Sequence, residues 1–243
     1  PIPVLLVGAQ RSSDRPSSDS ATNLIGAVRL ASDGILTGVN IVMHEGTGDD
    51  KIVAHHGTKV RKNHTSSRSA FESINTLPVA YVKGKNVEYL VDTQKSIDAN
   101  SFTLLNNFED KVHLIKFHPE SNPKIINYLV DDGYRGIVIE GSGLGHVSGN
   151  WHESLRYATE RDVLVGMTSQ CLFGRVRMTV YEAGRDLLSI GVLPLEDILP
   201  ETALVKMMWT LANSKDLRDA KRIMLKNISR EYSPRTLRKG NRT

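Results

Sequence analysis

Short apolar runs alternate with amphipathic stretches along this chain. The pattern predicts an α/β fold of two domains with largely parallel sheets, the first domain incomplete. Three observations carry the prediction. Apolar runs such as Val4–Val7 and 136–139 are too continuous for a sheet with one wet face and suit parallel strands covered on both sides. Segments with apolar residues three and four apart follow them, as crossover helices require. Between Asp92 and Asp110 the periodicity fades and polar residues prevail, dividing the chain into a domain over 1–97, a linker over 98–110 and a domain over 111–243. The first domain reads as incomplete because the sequence opens directly on an apolar strand, PIPVLLV, without an initiating methionine, so residues upstream are expected.

The elements follow in order. Val4–Val7 ends at Gly8 and delivers a polar loop, GAQRSSDRPSSDSATNL, of the kind that leaves the carboxyl end of a strand at a ligand site. Asp19 is placed to cap a helix whose apolar face reads Leu24, Ala27, Val28 and Ala31, with Gly34 as its stop. Strands are expected over 38–43 and 52–56, separated by the acidic turn EGTGDD, and then a hairpin in VAYVKGKNVEYL turning at Gly84. In the second half a strand over 112–117 precedes a helix with Asn122 as cap and Pro123 in its first position. Its apolar face is Ile125, Ile126, Leu129 and Val130, and it ends at Gly133. A strand over 136–139, a helix over 152–160 and a strand over 163–167 come next. Helical patterns over 179–189, 200–212 and 217–228 complete the chain.

With 243 residues there is room for a sizeable core, and 40% hydrophobic with 24% charged residues describes an ordinary globular protein. A formal charge of +4 permits an acidic partner such as RNA without demanding one. Cys171 is the one cysteine, which excludes an internal disulfide and a zinc knuckle built from thiolates; a reducing, cytoplasmic setting fits. No apolar run reaches the roughly 20 residues that span a bilayer, so no membrane role is expected.

Chemistry concentrates between His55 and Ser73, HHGTKVRKNHTSSRSAFES, where Lys59, Arg61, Lys62 and Arg68 stand among hydroxyls and histidines. A lysine there reads either as a solvated surface cation or as a partly desolvated group able to exchange a proton. Gly141, Gly143 and Gly145 follow a strand, but their spacing fits neither the dinucleotide fingerprint nor the P-loop, so they read as a tight turn approaching another surface. The eight histidines, including the neighbours His55 and His56 and the pair His113 and His118, form no ligand motif, and no metal is expected. Cys171, just after a strand, reads as a small buried thiol. The basic tail from Arg218 reads as a solvated face, with an electrostatic nucleic-acid contact as the sharper option.

Four stretches carry a resemblance that composition does not supply: VGAQRSSDRPSSDSATNL, HHGTKVRKNHTSSRSAF, GIVIEGSGLGHVS and MTSQCLFGRVRMTVYEAGRDLLSIGVLPLEDILPETALVKMMW. Together, in this order, they resemble the asparaginase family. More narrowly they resemble its tRNA-linked branch, the D-type subunits of archaeal glutamyl-tRNA(Gln) amidotransferases. The resemblance implies two α/β domains and hydrolysis of the side-chain amide of glutamine or asparagine with release of ammonia. It implies family catalysis by two threonines, an aspartate and a lysine. The lysine of that pattern matches Lys62. No Gly-Gly-Thr and no Thr-Asp pair occurs in the sequence, so the other three are expected upstream.

The resemblance also implies partners. The amidotransferase's E-type subunit would act as a kinase, using ATP and magnesium to phosphorylate Glu-tRNA(Gln). On that view tRNA(Gln) is met through the complex, and a homodimer contact would lie within a larger hetero-oligomer. No cofactor is implied for the D-type chain itself. Where simple asparaginases place an asparagine in the loop after the GIV strand, this chain has Leu144 and His146, so no substrate contact carries over from that loop. Two rival readings remain at this point: a stand-alone cytoplasmic L-asparaginase, and a non-catalytic assembly fragment.

Overall fold

The computed structural model describes residues 2–90 and 103–235. The chain divides into two compact units, one over residues 1–103 and one over 104–236. Of the expected linker, positions 98–102 lie outside the described residues.

The second unit follows the predicted pattern closely. Its sheet has the order β11-β10-β9-β8 and is parallel throughout. The strands are β8 (Val112–Lys116), β9 (Gly136–Gly141), β10 (Leu164–Ser169) and the short β11 (Leu193–Pro194). Helices α2 (Lys124–Asp131), α3 (His152–Thr159) and α4 (Glu182–Ile190) connect them. Because the strand order advances in one direction, crossovers of one hand place all three helices on one face. Ile137, Ile139, Val165 and Met167 point into that core with Ile126, Leu129, Leu155 and Leu187. The opposite face, Val112, Val138 and Leu164, packs against α5 (Pro200–Asn213) and α6 (Leu217–Met224).

Two glycines explain how closely α5 lies on this sheet. A Cβ at Gly136 would come within 2.7 Å of Met207 Sδ, and one at Gly166 within 3.1 Å of Met207 Cε. The sheet is therefore covered on both sides, which is why its strands read as continuous apolar runs.

Two boundaries shift. Pro123 occupies the cap position of α2 rather than its first turn, with Asn122 Oδ1 accepting from the Lys124 amide at 3.0 Å. Helix α4 starts at Glu182, not at 179, because Tyr181 is extended (φ −110°, ψ 156°).

In the first unit the fold class stands, but the pairing departs from the parallel expectation. The sheet order is β1-β2-β3-β6-β7, over β1 (Val4–Val7), β2 (Val39–His44), β3 (Lys51–His56), β6 (Ala80–Lys83) and β7 (Asn86–Tyr89). Only β1 and β2, joined through helix α1 (Ser20–Ser32), run parallel; the other pairings are antiparallel. Beyond β2 the connections carry no helix, and a parallel neighbour needs a long crossover. A small second sheet pairs β4 (Val60–Lys62) with β5 (Phe71–Ser73).

Helix α1 buries a different face from the one its apolar residues suggest. Asn23, Gly26, Ala27 and Leu30 face the sheet, whereas Leu24, Val28 and Ala31 are exposed. The reason is Gly26: a Cβ there would meet Ile52 Cγ2 at 2.9 Å, so the helix makes its closest approach on that glycine. Strand β1 was expected to be covered on both faces, but Val4, Leu6 and Val7 are exposed. Among the described residues β1 has a sheet neighbour on one side only.

Candidate functional site

The loops leaving the carboxyl ends of β1 and β2 are held by one chain of polar side chains that starts at Asp19. This residue sits at the N-cap of α1 but makes no side-chain cap bond to it. Its carboxylate reaches back instead, accepting the amides of Gln10 (3.1 Å) and Arg11 (2.9 Å) and an N–H of Asn23 (3.0 Å). Burial opposes the charge on Asp19, but these donors outweigh it and hold the carboxyl below its ordinary value. Asn23 also donates to the Gly8 carbonyl at 2.9 Å, and its Oδ1 accepts from His44 Nδ1 at 2.6 Å. Burial lowers the His44 pKa, with the Arg68 charge acting the same way against the opposing Asp19 and Asp49 carboxylates; since an amide oxygen only accepts, Nδ1 carries a proton.

The third loop joins the same network. Arg68, between β4 and β5, pairs with Asp49 of the β2–β3 turn and donates to the Ser17 carbonyl at 2.6 Å. His44 Nε2 lies 3.6 Å from Asp49. Three loops far apart in sequence are thereby fixed against each other by Asp19, Asn23, His44, Asp49 and Arg68. Asn23, His44 and Asp49 carry no spacing signature and went unseen in the sequence, because they stand on different elements and meet only in the fold.

Lys62, the sequence candidate, ends β4 opposite Phe71 of β5. Its side chain is exposed, its Nζ lies 6.0 Å from the Phe71 ring centroid, and it makes no ion pair among the described residues. Its neighbours differ sharply. Lys59 is only 1% exposed, and Arg68 is engaged as above, so both belong to the scaffold rather than the solvated surface. His55 is 3% exposed and joins β3 to β5 through Ser73 Oγ at 2.8 Å. Burial, with the nearby His56 charge, pulls its pKa down to about 4.

The carboxyl edge of the parallel sheet in the second unit is a separate polar cluster. Glu140 is buried, with Lys116 Nζ at 3.6 Å, and Gln170 donates to the carbonyls of Phe117 and Glu140. The glycine loop is the tight turn its spacing suggested: Ser142 pairs with His146, and a Cβ at Gly145 (φ +95°) would sit 2.7 Å from Val176 Cγ1. Cys171 is exposed, contrary to the buried thiol expected, because it lies in the irregular loop after β10. No group of three His, Cys, Asp or Glu side chains suited to a metal gathers among the described residues, and none of their helices is long and apolar enough to cross a membrane.

Two family models cover these units. The asparaginase N-terminal model matches residues 1–95, and the glutaminase/asparaginase C-terminal domain matches residues 111–224. The chain also superposes on the thermostable L-asparaginase from Thermococcus kodakarensis with a TM-score of 0.83 and 32% identity, over 96% of this chain and 68% of that one. The chain belongs to the asparaginase family. Within this asparaginase family it is 52% identical over 236 residues to the D-type subunit of the glutamyl-tRNA(Gln) amidotransferase of Pyrococcus furiosus. It is 50% identical over 236 residues to the corresponding subunits of Pyrococcus horikoshii and Metallosphaera sedula. These matches cover 96–97% of this chain but 53–54% of each relative. The asparaginase-family chain thus spans about half the length of the curated relatives it matches.

Proposed function

We propose that this chain is part of the ammonia-releasing, D-type subunit of a glutamyl-tRNA(Gln) amidotransferase. The observation that supports it is the extent of identity: 50–52% over nearly the whole chain to proteins of that name, against 32% to the L-asparaginase. In this reading a threonine hydroxyl attacks the side-chain amide carbon of glutamine or asparagine, ammonia leaves with a proton, and water releases the acid from the ester. Lys62 is the catalytic lysine. Paired with the family's aspartate, it helps the threonine hydroxyl lose its proton. The exposure of its ammonium at the end of β4, free of ion pairs among the described residues, suits a group that must meet threonines supplied from elsewhere.

The rest of the assembly follows from the same reading. The D-type chain requires no cofactor; the E-type partner activates Glu-tRNA(Gln) with ATP and magnesium, and ammonia displaces the phosphate to give Gln-tRNA(Gln). A homodimer contact lies within a larger hetero-oligomer, in the cytoplasm, away from any membrane. The domain organisation is a first domain ending near residue 97 and a second beginning near 111.

The test uses the full-length protein with its E-type partner. Ammonia release should depend on Glu-tRNA(Gln), and Lys62→Ala should lower kcat by at least about a hundredfold, the low end of what positioned proton transfer contributes. Brisk turnover of free asparagine by the purified protein alone would favour a stand-alone asparaginase instead. Normal activity in Lys62→Ala would remove that residue from the reaction.

A further inference from the structure

A polar cup in the first unit is lined by side chains to which the amide chemistry proposed above assigns no role. Five side chains line it: Arg11 from the loop after β1, Thr47 from the β2–β3 turn, and Ser66, Ser67 and Arg68 from the β4–β5 loop. Two are guanidiniums and three are hydroxyls, with no carboxylate among them, so every side chain on the wall can donate a hydrogen bond. The cavity of about 360 Å³ falls in the range of small-ligand pockets.

The walls are built before any ligand arrives. The Arg11 amide is held by Asp19 at 2.9 Å and its Nη1 by Ser17 Oγ at 2.9 Å, while its other guanidinium N–H groups make no bond among the described residues. The amides of Ser66 and Ser67 donate to His64 Nδ1 at 3.1 and 2.9 Å, which curls that loop around the cup. Arg68 is fixed by Asp49 and the Ser17 carbonyl. Asp49 offsets one of the two positive charges and leaves the other for a ligand. Ser67 Oγ lies 2.9 Å from Ser69 Oγ, so the donors on the wall not already engaged among the described residues include the remaining Arg11 N–H groups and the Thr47 and Ser66 hydroxyls, from three loops. A wall of one arginine with free N–H groups and several hydroxyls suits an anion rich in acceptor oxygens, and phosphate offers more of them than a carboxylate does. The backbone that carries these donors is held by Asp19 and His64, which lowers the cost of ordering the loops around a ligand.

We infer that this cup binds a phosphate group, either inorganic or small-molecule phosphate or the backbone phosphate of a nucleic acid. The inference stands on the first unit's geometry and does not require amide hydrolysis to be correct.

The experiment titrates the full chain with inorganic phosphate, with acetate at equal ionic strength as comparator, by calorimetry and by the arginine Nε–H resonances. Phosphate should saturate and acetate should not. Arg11→Ala, whose side chain is exposed and so spares the fold, should weaken phosphate at least about tenfold, as loss of a charged hydrogen bond does. Thr47→Val should weaken it less. A second arm measures tRNA binding against salt. A slope reduced by about one in Arg11→Ala identifies backbone phosphate as the source. An unchanged slope alongside lost phosphate binding identifies a free or small-molecule phosphate. Equal response to acetate, no saturation, or phosphate affinity unchanged in both variants overturns the inference.

Discussion

Acidification should loosen the attachment of the Lys62 hairpin to the first sheet, and His55 sets the pH at which this happens. The ring is 3% exposed, bonds to Ser73 Oγ of β5, and has no partner for Nε2 among the described residues. Its pKa falls from 6.5 to about 4, first because burial penalises the charged ring and then because His56 stands beside it. The sign follows from proton binding. Between pH 6.5 and about 4 the unfolded chain holds a proton at this ring and the folded chain does not, so stability falls as pH drops through that window and is intact above it. At ~1.4 kcal/mol per pH unit the interval is worth roughly 3 kcal/mol. Urea denaturation followed by far-UV circular dichroism, with amide exchange of the β3 and β5 strands, measures it at pH 7 and pH 4. His55→Gln keeps a hydrogen-bonding group without a titrating ring and should remove about 2–3 kcal/mol of the difference between those two pH values. A His55 imidazole resonance, assigned by its loss in His55→Gln, that titrates near 6.5 in the folded protein, or a full acid loss retained in His55→Gln, would refute the reasoning.

The second unit offers a buried pair for the same treatment. Lys206 Nζ meets Glu231 Oε1 and the Lys226 carbonyl, each at 2.5 Å. Burial opposes both charges: at Lys206 it prevails and lowers the ammonium, whereas at Glu231 the Lys206 ammonium and the amides of Ile228 and Ser229 prevail and hold the carboxyl below its ordinary value. Lys206→Met should cost about 3–5 kcal/mol by stranding that carboxylate, and adding Glu231→Leu should recover more than half, both read from urea melts of Trp fluorescence. The wild-type pair's contribution should also vanish as pH falls through the depressed Glu231 value. Gly145→Ala, at φ +95° and against Val176, should lower stability by about 1–3 kcal/mol in the same melts. Arg68→Ala should expose the loops at 11–18 and 63–70 to limited proteolysis, and Arg68→Lys should protect them only in part, since lysine lacks the fork that reaches both Asp49 and Ser17.

What could be read from the sequence depended on how each element is buried. Strands β8, β9 and β10 are covered on both faces, so their apolar runs stood out, and the amphipathic segments between them became α2, α3 and α4. Helix α1 misled because its closest approach is set by a missing side chain at Gly26, not by the apolar Leu24 and Val28. In the β4 stretch Lys59 and Lys62 look alike in the sequence, and only the fold separates the interior cation from the exposed one. The network from Asp19 to Arg68 was illegible for a different reason: its members are scattered over three loops, and no spacing rule anticipates a contact made by all three at once. The short β11 gave no signal either, since a two-residue strand has no period to detect.

The outer edge of β1, which has no sheet neighbour among the described residues, bears on how a polypeptide of residues 1–243 can be handled. Among the described residues β1 pairs on one side only, Val4, Leu6 and Val7 are exposed on it, and Leu24, Ile25 and Val28 are exposed on the neighbouring helix. A strand in that state recruits whichever extended peptide comes first, another molecule of itself included. Lysines at the exposed positions of β1 should therefore slow self-association of a polypeptide of residues 1–243, read by light scattering against the unsubstituted chain.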